Sequence, residues 1–225
     1  VNKIDFESIE EKIRVSGVAK IISELEAGDS FVVSEVPEKY QADFLSYGFC
    51  EYAHFKDYWI DPLSVSDKLF NNYDFLLLSE CIPASEITTA CRGQSRGFEG
   101  ENPEWFKQWL NGKEEGQMTA GCQNSSILTY REKNKIIGIS CTATYAHNSE
   151  KGKVVWVRML SVHPDYQGQG IGTKLLLQTL RYGVEHGAKR AFLHADTQNT
   201  AAIRIYSKVG FLSQEGIGQV DMIWR

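Results

Sequence analysis

Gln167-Gly168-Gln169-Gly170-Ile171-Gly172 follows an almost continuously apolar run over residues 154–162 and precedes a leucine-rich helical pattern over 173–185. An unbroken apolar run suits a strand covered on both faces, and His163-Pro164 ends it because proline disfavours continuation. Glycines at alternate positions let the backbone take conformations closed to other residues, so successive N–H groups can converge on an anion at the helix start. The order strand, glycine loop, helix therefore predicts an α/β fold with a phosphate cradle at this turn, a place suited to a pyrophosphate. A tight connection without a ligand would show the same spacing, so the downstream residues decide.

Leu175, Leu176, Leu180 and Val184 form the buried stripe of the helix, which Gly187 ends. Residues 190–195 read as a strand, and 196–210 as a helical segment carrying Asn199 and Tyr206 and closing on Gly210-Phe211. Asn199 and Tyr206 fall about two turns apart on one face, so both can look into one cleft. In this order the segments resemble the GNAT N-acetyltransferase family. Gln167, Gly170 and Gly172 fit its pattern of Gln or Arg, two residues, Gly, one residue, Gly or Ala. Leu160-Ser161-Val162-His163-Pro164 is similar to the end of the family's central strand, and Asn199, Ala202, Tyr206, Gly210 and Phe211 fit its C-terminal segment. The resemblance covers residues 153–211 and extends back to about residue 72.

The resemblance implies the GNAT acyl-CoA N-acyltransferase fold, a mixed, mostly antiparallel sheet flanked by helices and split at the cofactor. It implies acetyl-CoA as co-substrate, with backbone groups of Leu160, Ser161 and Val162 along the pantetheine arm. Gln167, Gly168, Gln169, Gly170, Ile171, Gly172 and Thr173 would surround the pyrophosphate, and Asn199 and Ala202 would line the pantetheine. A backbone N–H of the split strand would polarise the thioester carbonyl as an oxyanion donor. Tyr206 matches the family's usual acid, which protonates or orients the departing thiol. Taken alone, a helical tyrosine packed at a helix end is the plainer role, and Asn199 could be only an N-cap.

The attacking amine must lose its charge, and the positions where some branches of the family carry a Glu or His base are Trp156 and Arg158 here. Neither is a base. If the strand is regular, Trp156, Arg158, Leu160 and Val162 share one face, and a bulge would break that parity. Arg158 is then a candidate to bind a carboxylate on the acceptor, since guanidinium pairs bidentately with such groups, or it is simply paired with a nearby Glu. Tyr145, near a strand end, is a second substrate-binding candidate, and Glu80 and His147 could also pass a proton to water. His163 and His194 are assigned no role, lone histidines being more often turn or packing residues.

A chain of 225 residues can bury one good-sized core or a core with an attached smaller unit. No apolar stretch approaches the ~20 residues of a membrane span, and the start Val1-Asn2-Lys3-Ile4-Asp5 lacks a signal-peptide pattern, so a cytoplasmic location is expected. The five cysteines, Cys50, Cys81, Cys91, Cys122 and Cys141, are widely spaced without a Cys-x-x-Cys pair, and no metal-ligand cluster is visible. A formal net charge of -5 argues against nucleic acid as partner. It is compatible with a cationic amine.

Phe6, Ile9 and Ile13, then Val18, Ile21, Ile22 and Leu25, recur at helical spacing with an interruption at Ser16-Gly17, predicting a broken amphipathic opening helix. A strand over 31–36, a helix over 38–47 closed by Gly48 and an extended segment over 50–60 follow. This order parallels 192–211, down to Gly48-Phe49 against Gly210-Phe211. Two readings stand: a degenerate partial repeat without its glycine loop, or an unrelated α/β extension. Residues 1–70 are taken as the N-terminal α/β extension and 71–225 as the acetyltransferase domain, with the junction near the polar, Pro-bearing stretch 61–67. Within the latter, a strand is expected over 73–79, helices over 84–91 and 103–110, a loop over 92–102, and strands over 127–130 and 136–145. The expected activity is transfer of acetyl from acetyl-CoA to a primary amine of a small molecule, with no metal, no nucleic acid, no membrane partner and a homodimer left open. A non-catalytic CoA-binding module and a protein N-acetyltransferase are the alternatives.

Overall fold

A computed structural model of the chain describes residues 2–24, 30–65, 74–112, 121–216 and 218–224. It divides into two compact units, one of residues 1–56, 195–200 and 214–225, the other of 57–194 and 201–213. The boundary expected between residues 70 and 71 falls in 66–73, outside the described residues, as does Leu25 of the opening stripe.

In the first unit, strand β1 (Asn2–Asp5) runs into helix α1 (Phe6–Ser16), whose first turn is capped by the Asp5 carboxylate accepting the Glu7 N–H at 3.0 Å. Gly17 breaks the helix, and α2 (Val18–Ser23) resumes the apolar stripe. Strand β2 (Phe31–Val36), helix α3 (Glu38–Ser46) and strand β3 (Cys50–Ile60) follow as the sequence predicts. Phe6, Ile13, Val18 and Ile21 bury one face of the helices against Phe31, Val33, Phe44 and Phe49. The sheet is completed by β10 (Gln219–Trp224), which the sequence reading did not anticipate. It pairs antiparallel with both β2 and β3 and so lies between them, while β1 pairs parallel with β2.

The second unit contains β4 (Asp74–Phe75), α4 (Cys81–Ala90), α5 (Pro103–Leu110), β5 (Gln123–Glu132), β6 (Lys135–Tyr145) and β7 (Lys153–Val162). After these come α6 (Ile171–Glu185), β8 (Ala188–Asp196), α7 (Thr200–Val209) and β9 (Leu212–Ser213), with β8 and α7 each contributing end residues to the first unit. The strand order is β3-β8-β7-β6-β5-β4, antiparallel from β4 to β7 and parallel between β7 and β8, across which α6 forms the connection. Helices α4 and α5 cover one face, where Phe106 and Trp109 pack with Ile127, Ile139 and Trp156. Helix α6 covers the other, with Leu175 against Leu128, Ile137 and Val162. This is the mixed, mostly antiparallel sheet flanked by helices that the sequence predicts.

The strand expected over 73–79 is corrected to β4 and a 3-10 turn at Leu78–Glu80. The Glu80 carboxylate accepts the Leu77 N–H at 2.9 Å and both Arg131 guanidinium nitrogens at 2.8 Å, which turns the chain and leaves Leu77 and Leu78 exposed. Hydrogen bonds from Arg131 hold the Glu80 carboxyl below its ordinary value of 4.5. A carboxyl whose folded value is depressed stabilises the fold above its unfolded value and loses that contribution as pH falls through the folded one. Arg131→Met should therefore cost ~1 kcal/mol at neutral pH, and the gap between the variant's and the wild type's melting temperatures should close as pH falls below about 4. A gap independent of pH would show that packing, not the ion pair, is what the substitution removes.

The two units share a local construction. In the first, α3 ends with Gly48 and Phe49 donating their N–H groups to Leu45 O (3.0 Å) and Phe44 O (3.1 Å). In the second, α7 ends with Gly210 and Phe211 donating to Ser207 O (3.1 Å) and Tyr206 O (3.0 Å). In both, the strands flanking that helix do not pair with one another directly, because a third strand separates them: β10 between β2 and β3, and residues 57–60 of β3 between β8 and β9.

Candidate active site

Strands β7 and β8 are paired only in part. Their parallel ladder joins Lys153 through Trp156 to Ala188 through Phe192 and stops at Trp156↔Phe192, whereas β7 continues to Val162 along β6. From Val157 to Val162, β7 therefore has its ladder with β6 on one edge and none with β8 on the other. Along β6 the register jumps from Cys141↔Met159 to Thr142↔Val157, which makes Arg158 the extra residue of a β-bulge. The bulge corrects the shared face expected for Trp156, Arg158, Leu160 and Val162. Trp156 packs in the cluster of α4 and α5 together with Met159, while Leu160 and Val162 pack with α6. The Arg158 guanidinium lies 5.7 Å from the ring centroids of both Trp105 and Trp156, so it stands on the α5 side of the sheet.

At the end of β7 the Val162 carbonyl accepts the Gln167 side-chain amide at 2.8 Å and the Cys91 thiol at 3.3 Å. The same Gln167 amide reaches Gln94 Oε1 at 3.1 Å, tying the loop after α4 to the glycine loop. A 3-10 turn at Pro164–Tyr166 follows, then Gly168 and Gly170 at φ 75° and 78°, the left-handed region that only glycine enters freely. A Cβ at either position would meet nothing within 4 Å, so these glycines serve backbone conformation and leave space above the loop. Helix α6 starts at Ile171, and the first amide to return to the chain is Lys174 N–H, to Gly170 O at 3.1 Å. The Ile171, Gly172 and Thr173 amides thus lack intrahelical acceptors, and no acidic residue occupies the first turn. These residues fit a pyrophosphate. Gly172 also seats α6 against α7, since a Cβ there would lie 3.1 Å from Ile205 Cδ1.

Tyr206 lies on α7 with its ring packed near Tyr58 (6.3 Å) and Phe211 (6.1 Å), and burial, with Tyr58 adding, pushes its hydroxyl up to about 12. Ala202 is on the same helix. Asn199 immediately precedes it, in the 195–200 segment of the first unit, where its N–H donates to Asp196 O at 3.0 Å. Tyr145 ends β6 opposite Val154, at the other end of the ladder from the Gly138↔Val162 pair that adjoins the glycine loop. It packs edge-on to Phe192 (6.4 Å), and burial raises its hydroxyl to about 12 as well, against the opposing charge of Arg190. The structure therefore brings Val162 to Gln167 and α6 to α7, and sets Tyr145 apart from the glycine loop.

One pair escaped the sequence reading. His194 Nδ1 sits 2.8 Å from Asp57 Oδ1, and alongside it Trp59 packs on Phe192 at 4.7 Å. Asp57 precedes His194 by 137 positions, so no local spacing could have announced the pair. Among the described residues, no group of three His, Cys, Asp or Glu is placed to hold a metal ion, and no helix is long and apolar enough to cross a membrane.

The sequence pattern of the acetyltransferase (GNAT) family matches residues 94–211, just over half of the chain. An uncharacterized N-acetyltransferase of Methanocaldococcus jannaschii is 27% identical over 123 residues, 54% of this chain and 50% of the relative. A mycothiol acetyltransferase of Amycolatopsis mediterranei is 26% identical over 147 residues, 63% of this chain and 48% of the relative. The chain spans about half the length of these curated relatives. A solved GCN5-related N-acetyltransferase from Sphaerobacter thermophilus aligns with 97% of this chain and 67% of its own at a TM-score of 0.63 and 12% identity, a likeness of fold. The split strand pair, the glycine loop and the matched pattern coincide on the same residues, and the chain belongs to the GNAT acetyltransferase family.

Proposed function

We propose that this protein transfers an acetyl group from acetyl-CoA to a primary amine of a small molecule by direct attack. The observation that carries the reading is the opening between β7 and β8, which leads from an unpaired strand edge straight to the glycine loop and the start of α6. Residues Gln167 to Thr173 hold the pyrophosphate through backbone N–H groups, and the backbone of Leu160, Ser161 and Val162 binds the pantetheine arm with Ala202 beside it. An N–H of that strand edge polarises the thioester carbonyl. A small acceptor is favoured because relatives at comparable identity are named for mycothiol. Arg158, over two tryptophan rings on the α5 side, supports an acceptor that also carries a carboxylate or similar anion. Tyr145 lines that side farther along β6. Use of acetyl-CoA suits a cytoplasmic protein.

Tyr206 supports the departing sulfur. A phenol held near 12 stays protonated at neutral pH, but it is a weaker acid than a thiol of ordinary value ~8.5, so Tyr206 acts by donating a hydrogen bond to the developing thiolate rather than by surrendering its proton outright. Tyr206→Phe should lower kcat about 10²-fold and change the acetyl-CoA KM little. Thiol release from acetyl-CoA against polyamines, amino acids, aminoglycosides and short peptides measures both. Acceptor-dependent release that survives unchanged in Tyr206→Phe would remove the tyrosine from the mechanism. Turnover of peptides alone would favour a protein acetyltransferase, and CoA binding in calorimetry without turnover a sensing module.

The same reading takes residues 1–70 as a degenerate partial repeat. Its support is the matched helix ending and the matched insertion of a third strand in each unit, with Phe44, fully buried and without a hydroxyl, at the place of Tyr206. Lacking a glycine loop, the N-terminal unit binds no acetyl-CoA of its own.

A further inference from the structure

We propose that His194, oriented by Asp57, is the general base that takes the proton from the attacking amine; the assignment rests on the acetyltransferase reading above. Cross-strand neighbours fix its position. Trp59 meets Phe192, and Asp57 meets His194, so all four side chains project from the same face of β3 and β8. Phe192 belongs to the cluster of Trp109, Trp156 and α5, which places that face on the side where Arg158 stands. Phe192 is also the last β8 residue paired with β7, and His194 is the next residue on the same face. It therefore lies where the two strands have parted, beside the opening assigned to the thioester arm.

Asp57 determines which nitrogen can work. An ionised carboxylate only accepts, so the imidazole proton resides on Nδ1 at the 2.8 Å contact and the lone pair is on Nε2. The His194 side chain keeps 29% of its surface exposed, enough to return a proton to solvent. On this face Trp156 and Arg158 accept no proton, the Arg190 guanidinium is always charged, and the Tyr145 hydroxyl is protonated at neutral pH. In the step, the nitrogen lone pair attacks the carbonyl carbon, the C–N bond forms and the C–S bond breaks. One ammonium proton passes to Nε2 and on to water, and the thiolate takes up the second, so an ammonium ion and a thioester give an amide, a thiol and one released proton. A histidine and aspartate paired only for structure would hold the surface together by little, since solvent screens an exposed pair.

The test follows thiol release from acetyl-CoA by wild type, His194→Gln and Asp57→Asn with spermidine, lysine and kanamycin, and separately with hydroxylamine, which is largely uncharged at neutral pH. His194→Gln should lower kcat for the cationic amines ~10²–10⁴-fold, lose about tenfold or less with hydroxylamine, and bind CoA in calorimetry as the wild type does. Asp57→Asn should fall between, and added imidazole should return part of the activity of His194→Ala. An active wild type whose His194→Gln variant turns over at the same rate, or loses both nucleophiles equally, overturns the base assignment alone. A wild type that releases no thiol with any of these amines overturns the acetyltransferase reading, and the assignment falls with it.

Discussion

Trp109→Ala should destabilise the protein by ~3–5 kcal/mol, the largest loss expected from a single truncation here. The side chain is 1% exposed, stacks on Trp105 with ring centroids 5.5 Å apart and planes 13° apart, and meets Trp156 edge-on at 5.9 Å. Its indole N–H donates to Ser126 O at 3.0 Å, so truncation opens a cavity and also takes a donor from a part-buried carbonyl. For a protein of this size the melting temperature should drop by roughly 6–20 °C, while Trp109→Phe should keep most of the packing and lose ~1 kcal/mol for the hydrogen bond. Because Arg158 rests over Trp105 and Trp156, the acceptor KM should rise in the alanine variant even at temperatures where it is folded. Melting within a degree or two of wild type would mean that α5 is not anchored through this ring.

Gly183→Ala sets two effects against each other. Alanine in a helix interior is favoured over glycine by ~1 kcal/mol, so with room to spare the change would stabilise. There is no room: the new Cβ would lie 2.4 Å from Val155 Cβ and 2.6 and 2.7 Å from its two methyl carbons, and Val155 is fully buried near the start of β7. Helix or strand must move, and a net loss of ~1–3 kcal/mol is expected by denaturant unfolding. Val155→Ala should relieve only part of it, since the closest atom is the Cβ that alanine retains. The displacement would travel along α6 to Ile171 and weaken CoA binding, which calorimetry would detect. Unchanged or raised stability would mean that the approach of α6 to β7 is looser than described.

The glycine loop, α5 and the strands from β5 to β8 were legible because each is announced by residues adjacent in sequence: a period, a proline, an alternation of glycines. What the sequence concealed depends on partners far along the chain. The bulge at Arg158 exists only relative to β6, and the run Leu76-Leu77-Leu78 reads as strand until Arg131 and Glu80 turn it. His194 carried no signal without Asp57, and β10 none without β2 and β3. Tyr206 was singled out through its family position; its surroundings alone describe a packed ring at a helix end.

The insertion of β10 between β2 and β3 also orders events in time. As the chain leaves the ribosome, residues 31–60 emerge before Gln219–Trp224, so the edges of β2 and β3 that pair with β10 are at first without it. They stay open until Gln219–Trp224 has been synthesised, so the unit that holds β2 and β3 cannot close before then, and pairing over so long a loop is slow. During that interval the unpaired edges are templates for association with other chains.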